Sequence, residues 1–253
     1  MFQAPVSKLS RFALWLALLS AVGAITAGPV YQLGLLDLHA AMGVLTAAVA
    51  GGALSVVAGA LAVRATLGLH GKRGRGRAVL AIAVGVVVVA VPSPYFVASV
   101  TAPAIHDVTT DTDNPPAFDA LAKGRDAAPN AVEYPGERAA AKQAAAYPEV
   151  APRIYQGAGR ERVFAAVESA AAELGWRVAA ADSAAGLLEA THRTPWFGFI
   201  DDIVVRVAET GEGVRVDIRS ASRVGESDLG ANAGRIGAFF EELDRRLGAG
   251  GRY

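Results

Sequence analysis

Two polar stretches in the second half of the chain contain the residue types that could bind a ligand or carry out acid–base chemistry. Asp201 and Asp202 stand side by side after an aromatic segment, and Arg219, Arg223 and Arg235 follow. Guanidinium groups bind carboxylate and phosphate through paired hydrogen bonds, and a positioned carboxylate can act as a general base. The pattern supports two interpretations: an anion clamp, and an envelope hydrolase or lyase in which Arg223 stabilises developing negative charge.

A third interpretation is purely structural, with carboxylates capping helices and pinning loops to arginines. Asp228, Asn232 and Arg235 are spaced to share one helix face, and Trp196 could add an apolar contact. The candidate binding residues all lie in the two polar stretches: Arg219, Arg223, Arg235, Asp201, Asp202, Asp228, Asn232 and Trp196. A buried Asp–Arg network favours the structural role, whereas the same groups in an open cleft favour binding or catalysis.

Other catalytic and metal patterns are weak. The sequence has no Ser–His pairing, His cluster or Gly-rich phosphate loop, which weighs against an enzyme, and we expect no cofactor. Asp107, Asp111 and Asp113 alternate as oxygen ligands of Ca²⁺ do, but the glycine and glutamate of an EF-hand loop are absent. An extended, hydrogen-bonded segment is the favoured interpretation, and a metal site is the alternative. Cysteine is absent, which excludes disulfides and thiolate chemistry.

The elements that must position these residues divide at about residue 103. Residues 1–103 contain one acidic side chain, Asp37, and three apolar segments of spanning length, at about 12–30, 38–63 and 79–100. A cleaved signal peptide is the rival interpretation of the first segment. Mid-depth ionisable residues are absent from the segments, so we expect an anchor rather than a pump or channel. Pro92 and Pro94 predict a kink in the third segment.

The distribution of basic residues predicts the orientation of the anchor. Lys8 and Arg11 precede the first segment, and basic residues between the second and third run from Lys72 to Arg77. The connection between the first two segments has no Lys or Arg. The positive-inside rule therefore predicts a cytoplasmic amino terminus in the inner membrane and a periplasmic domain after residue 103.

The remainder of the chain predicts an α+β soluble domain. Residues 104–152 form an extended motif and an Ala/Pro-rich arm with a short helix at 136–146. In residues 153–253, apolar spacing predicts a helix from about Arg160 that ends at Gly175, four strands, and a closing helix from Ser227 or Asp228. Hairpin links favour a four-stranded antiparallel sheet with two helices on one face. The open face would carry a solvated ladder of Arg206, Arg215, Asp217 and Arg219.

Three segments carry a family resemblance: IHDVTTDTDNPPAF, TPWFGFIDDIVVRV and VDIRSASRVGESDLGANAGRI. In this order they resemble recurring motifs of the bacterial and plant family named domain of unknown function 1499 (DUF1499). Together with the helix before Trp176, the resemblance covers about residues 104–247. It implies an extracytoplasmic or membrane-tethered domain without an established activity, so no catalytic residue is carried over.

The sequence therefore predicts a membrane-anchored module of the bacterial cell envelope that is non-catalytic. Its expected partner is an envelope protein, or an anionic lipid or glycan recognised by the arginines. The soluble half has 17 basic against 23 acidic residues, which argues against nucleic acid as a partner.

Overall fold

The computed structural model describes residues 6–67, 73–125 and 128–248. The chain forms two compact units. The first contains Met1–Val97 together with Pro195–Gly198, and the second contains Ala98–Thr194 and Phe199–Tyr253.

The first unit is built from helices α1 (Lys8–Gln32), α2 (Leu38–Ala65) and α3 (Arg75–Ala90), followed by α4 (Ser93–Thr101). Three helical stretches, Lys8–Gln32, Leu38–Ala65 and Arg75–Thr101, are long and apolar enough to cross a membrane. This confirms the three predicted segments, and the protein is membrane-anchored. The predicted kink appears as a break between α3 and α4 at Pro92, because proline removes a helical hydrogen bond and its ring clashes with the preceding turn.

Small residues allow the three helices to approach one another closely. A Cβ atom on Gly59 would lie 2.7 Å from Ile82 Cγ1, and one on Gly85 would lie 2.6 Å from the carbonyl oxygen of Gly52. Ser55 is fully buried and donates its hydroxyl proton to that same carbonyl at 2.7 Å, so its polar group is satisfied within α2. Helices that lack a hydrophobic driving force in lipid associate through such close packing.

The second unit is a sheet covered by helices on one face. Its helices are α5 (Glu137–Ala146), α6 (Arg160–Glu173) and α7 (Ala231–Leu247), and a short 3₁₀ helix covers Ala122–Arg125. Its strands are β1 (Asp107–Thr109), β2 (Arg153–Tyr155), β3 (Arg177–Asp182), β4 (Leu187–Arg193), β5 (Ile200–Thr210) and β6 (Gly213–Ser222). All pairings are antiparallel, in the order β1-β6-β5-β4-β3, with β2 also paired to β6.

The hydrophobic core lies between the sheet and helices α6 and α7. Alternate residues of β6, Val214, Val216 and Ile218, point into it, as the two-residue period of a strand requires. Trp176 stacks on Phe239 of α7 with ring centroids 5.4 Å apart. The α+β fold, helices α5 and α6 and the two predicted hairpins are confirmed. The closing helix begins at Ala231, slightly later than predicted.

Two features of the predicted sheet are corrected. The sheet has six strands rather than four, because the three-residue strands β1 and β2 pair with opposite ends of β6. The face expected to be open is covered by residues 114–125 and 128–134, which we call the strap. Phe118 and Leu121 of the strap pack on Val204 and Ala221 of the sheet. Within the predicted ladder, Asp217 and Arg219 are buried, whereas the side chains of Arg206 and Arg215 are 23% and 34% exposed.

Candidate functional site

Asp202 is the centre of a buried ion-pair cluster beneath the strap. Its side chain is fully buried and accepts hydrogen bonds from Arg223 Nη2 at 2.9 Å and Nε at 2.9 Å. A second guanidinium, that of Arg125, is equally buried and lies 3.5 Å from Asp202 Oδ2, the oxygen that also accepts from Arg223 Nε. Burial lowers the pKa of Arg125, although the nearby carboxylates of Asp202 and Asp107 oppose this. Asp202 therefore lies between two arginines, of which Arg125 is fully buried and Arg223 is 20% exposed.

Arg219 and Asp107 form the second ion pair on this face. Arg219 Nη2 lies 2.7 Å from Asp107 Oδ2, and both side chains are at most 3% exposed. Arg219 also donates to the carbonyls of Pro116 and Val132 in the strap, at 3.2 and 2.7 Å. Its guanidinium lies over the ring of Phe118, 4.8 Å from the centroid. Arg219 of β6 thus binds both β1 and the strap, so its role is structural.

Glu189 of β4 also holds the strap on this face of the sheet. Its carboxylate accepts hydrogen bonds from three consecutive backbone N–H groups, those of Asp119, Ala120 and Leu121, each at 2.9 Å. Sequence reasoning missed Glu189 and Arg125, since both are charged residues whose partners lie far away in the chain. Alternation along β4 was the one available signal: it places Glu189 opposite the core-facing Leu188 and Ala190.

Two of the three carboxylates proposed as an alternative metal site are paired with arginine side chains. Asp107 pairs with Arg219, and Asp111 Oδ2 lies 2.9 Å from both Arg206 and Arg215. Asp113 is exposed. Within residues 6–67, 73–125 and 128–248, no three His, Cys, Asp or Glu side chains come together in a way that could hold a metal ion. The carboxylates of Asp107 and Asp111 serve as acceptors for guanidinium groups.

The second polar cluster lies on the opposite face, between the sheet and α7. Arg235 Nη2 donates to Asp201 Oδ2 at 2.5 Å and lies 3.2 Å from His192 Nδ1. Its Nη1 donates to Ser220 Oγ at 2.9 Å and to Asn232 Oδ1 at 2.5 Å. Burial lowers the pKa of His192, and the charge of Arg235 lowers it further, while Asp201 raises it. His192 is thereby favoured as the neutral ring that accepts from Arg235.

Asp228 lies on the same face of the sheet as Arg235 and caps the start of α7. Its carboxylate accepts from the backbone N–H groups of Gly230 at 2.9 Å and Asn232 at 2.8 Å. These N–H groups have no partner inside the helix, so a carboxylate before the first turn stabilises it. Burial raises the pKa of Asp228, and its backbone hydrogen bonds partly offset that effect. Asn232 and Arg235 share a face of α7, as their spacing predicts, whereas Asp228 precedes the helix and binds its first N–H groups.

Trp196 lies in the first unit rather than beside the arginines. The loop of residues 195–198, between β4 and β5, packs on the last turns of α1. Pro29 has no backbone N–H and cannot donate to the carbonyl of Ile25, and Trp196 Nε1 donates to that carbonyl at 3.3 Å. The position of Gly28 matters because a Cβ there would lie 2.3 Å from the carbonyl oxygen of Trp196.

Gln32 completes the contact between α1 and this loop. Its side-chain amide donates to the carbonyls of Pro195 and Trp196, at 3.1 and 2.6 Å. The rings of Tyr31 and Phe197 lie 6.1 Å apart, and Phe197 is buried. Aromatic rings are typical of the level at which a span leaves the hydrocarbon core. The aromatic motif therefore contacts a membrane helix.

The candidate residues consequently form three groups instead of one site. Arg219, Arg223 and Asp202 lie under the strap, Asp201 and Arg235 lie on the helix-covered face, and Trp196 lies against α1. Each carboxylate that could act as a base is buried and already paired with a guanidinium. Such pairs hold a fold together, and they lack the access to substrate that a general base requires.

Comparison with known proteins identifies the second unit. A family model described as "Protein of unknown function (DUF1499)" matches residues 107–243. The match begins at the first residue of β1 and ends in the last turns of α7, so it spans the strap and the complete sheet. No curated protein matches the chain.

Proposed function

The chain belongs to the DUF1499 family, a family of proteins of unknown function, and we propose a role for it on that basis. It is a non-catalytic assembly module of the cell envelope. Its three spans anchor it in the inner membrane, and its α+β domain is presented to an envelope protein outside the cytoplasm. The motif residues that suggested chemistry maintain the scaffold of that domain.

The burial of the Asp–Arg pairs is the observation that carries this proposal. Asp202 is fully buried between two arginines, and Asp201 is 4% exposed beside Arg235. A catalytic carboxylate must reach a substrate, and a ligand-binding arginine must offer free donors. Both carboxylates instead use their oxygens on guanidinium groups within the domain. An Asp201/Asp202 hydrolase is accordingly the less supported alternative.

A joint anion clamp has less support for a geometric reason. Arg219 and Arg223 lie under the strap, whereas Arg235 lies on the face covered by α7. Three arginines divided by a sheet cannot grip one headgroup. Of the three, Arg223 has the most exposed side chain, at 20%, but its fork is already engaged by Asp202.

The proposed orientation has support from the packing of the first unit. The backbone N–H of Ser7 donates to the carbonyl of Arg73 at 2.9 Å, so the start of α1 and the connection before α3 lie at the same end of the bundle. Lys8 and Arg11 therefore share this end with Arg75, as the positive-inside rule requires of a cytoplasmic face. Lys72, the first residue of the predicted basic loop, is outside the described residues.

Single-cysteine labelling tests the orientation directly, because the natural chain has no cysteine to remove. Gly76→Cys places a thiol at an exposed position where a Cβ meets no atom within 4 Å, and Asp113→Cys places one on the exposed motif of the second unit. In intact cells stripped of their outer barrier, a membrane-impermeant maleimide should label Asp113→Cys alone. Labelling of Gly76→Cys before lysis, with Asp113→Cys protected, would invert the orientation and refute an extracytoplasmic domain.

A further inference from the structure

The first unit contains an apolar groove between α1 and α3. Its volume is about 670 Å³, and one wall runs from Ala21 to Pro29 of α1 while the other runs from Ala83 to Pro92. Trp196 is part of the lining. The lining side chains are alanine, isoleucine, valine, proline and this tryptophan, so the walls present almost only apolar surface to an occupant.

The length of the groove corresponds to one leaflet of a bilayer. At the helical rise of 1.5 Å per residue, the wall from Ala21 to Pro29 extends about 12 Å. The hydrocarbon core of a bilayer is about 30 Å thick, so the groove covers rather less than half of it. A partner's spanning helix would extend beyond the groove through the other leaflet, so the groove would cover only part of its length. An acyl chain needs only one leaflet, and the groove fits that requirement.

The groove is continuous with the surface that the spans present to lipid. Three of its lining residues, Ile25, Val87 and Val91, are 68%, 58% and 64% exposed and belong to helices of membrane-spanning length. The surrounding medium at these side chains is therefore acyl chain, and a chain that enters the groove buries further apolar surface. The occupant consequently comes from the bilayer itself.

Trp196 distinguishes this groove from an ordinary crevice between helices. The indole is held in place by its hydrogen bond to the carbonyl of Ile25, which Pro29 leaves without a helical donor. We propose that the groove binds an acyl chain of a membrane phospholipid, packed between α1 and α3 and against the indole ring of Trp196. This assignment does not depend on which side of the membrane the domain occupies.

Photo-crosslinking of the full-length protein tests the proposal. The protein is reconstituted in phosphatidylcholine vesicles that contain a trace of phosphatidylcholine with a diazirine on one acyl chain. Cross-links should concentrate on residues 21–29 and 83–92 rather than on the exposed side of α2. Ala24→Phe places a ring in the groove, so the acyl chain should occupy it about ten times less often. The yield of these cross-links should fall by the same factor.

Two further variants make the result decisive. Ala53→Phe adds the same ring to an exposed position of α2 that does not line the groove, and it should leave the labelling unchanged. Trp196→Ala removes the indole without altering the helices and should also lower labelling at residues 21–29. Even labelling around the three spans, or equal labelling of Ala24→Phe and Ala53→Phe, would overturn the proposal.

Discussion

Asp201 and Asp202 are adjacent in β5, yet their carboxylates lie on opposite faces of the sheet. Asp201 accepts from Arg235 of α7 at 2.5 Å, and Asp202 accepts from Arg223 beneath the strap at 2.9 Å. The alternation of a strand imposes this separation, because successive side chains point in opposite directions. Two carboxylates that looked like a catalytic pair in the sequence therefore support two different packing layers.

Loss of the Asp202 carboxylate should destabilise the protein strongly. Asp202→Asn keeps the shape of the side chain but leaves the guanidiniums of Arg223 and Arg125 without their buried counter-charge. Removing one partner of a buried ion pair typically costs about 3–5 kcal/mol, and we expect that reduction in the free energy of unfolding. Chemical denaturation of the full-length protein in detergent, followed by circular dichroism, measures it.

The matched control for this substitution is Glu242→Gln. Glu242 also contacts two arginines, Arg245 and Arg246, but their side chains are 65% and 26% exposed. Exposed pairs of this kind contribute little, so the unfolding midpoint should not change measurably. Wild-type stability of Asp202→Asn would show that this ion pair does not hold the domain together, and the non-catalytic proposal would lose its main support.

The contact between Trp196 and α1 should depend on the proline of that helix. Pro29→Ala supplies a backbone N–H that can donate to the carbonyl of Ile25, which then competes with the indole of Trp196. We expect amide hydrogen exchange in residues 197–199 to become about tenfold faster, the factor that corresponds to about 1.4 kcal/mol. Val22→Ala, at an exposed position of α1, is the control and should leave exchange unchanged. Unaltered exchange in Pro29→Ala would mean that the indole does not need this carbonyl.

Acidification should weaken the layer between the sheet and α7 through His192. Burial and the charge of Arg235 hold the pKa of His192 below its ordinary value of 6.5 in the folded protein, against the opposing charge of Asp201. Below pH 6.5 the unfolded chain consequently binds more protons at this residue, so the free energy of unfolding falls as the pH decreases towards the folded-state pKa.

Comparison with His192→Gln isolates this contribution. Glutamine can accept a hydrogen bond from Arg235 but does not titrate. The unfolding midpoint of the variant should therefore fall less than that of the wild type between pH 7.5 and 5.5. This range extends about one unit on either side of the ordinary histidine pKa. Thermal unfolding at both pH values measures the difference. An identical fall in the two proteins would assign the acid sensitivity to other groups.

Local patterns in the sequence determined most of the architecture. Three apolar runs of spanning length became helices, and the spacing of Val163, Phe164 and Val167 became the buried face of α6. The alternation in β6 separated core residues from charged ones correctly. These predictions succeed because helical and strand periods are properties of neighbouring residues, which the sequence displays directly.

Only the tertiary structure decided which charges meet. Asp107 and Arg219 are 112 positions apart, and Glu189 binds backbone groups 68 to 70 positions away. Strands β1 and β2, with three residues each, are too short to show a period, and the strap has none. Whether an Asp–Arg set is an open site or a buried brace depends on what covers it. Which segment covers these residues depends on contacts between distant parts of the chain. The sequence therefore identified the residues, and the packing of the folded chain decided that they are structural.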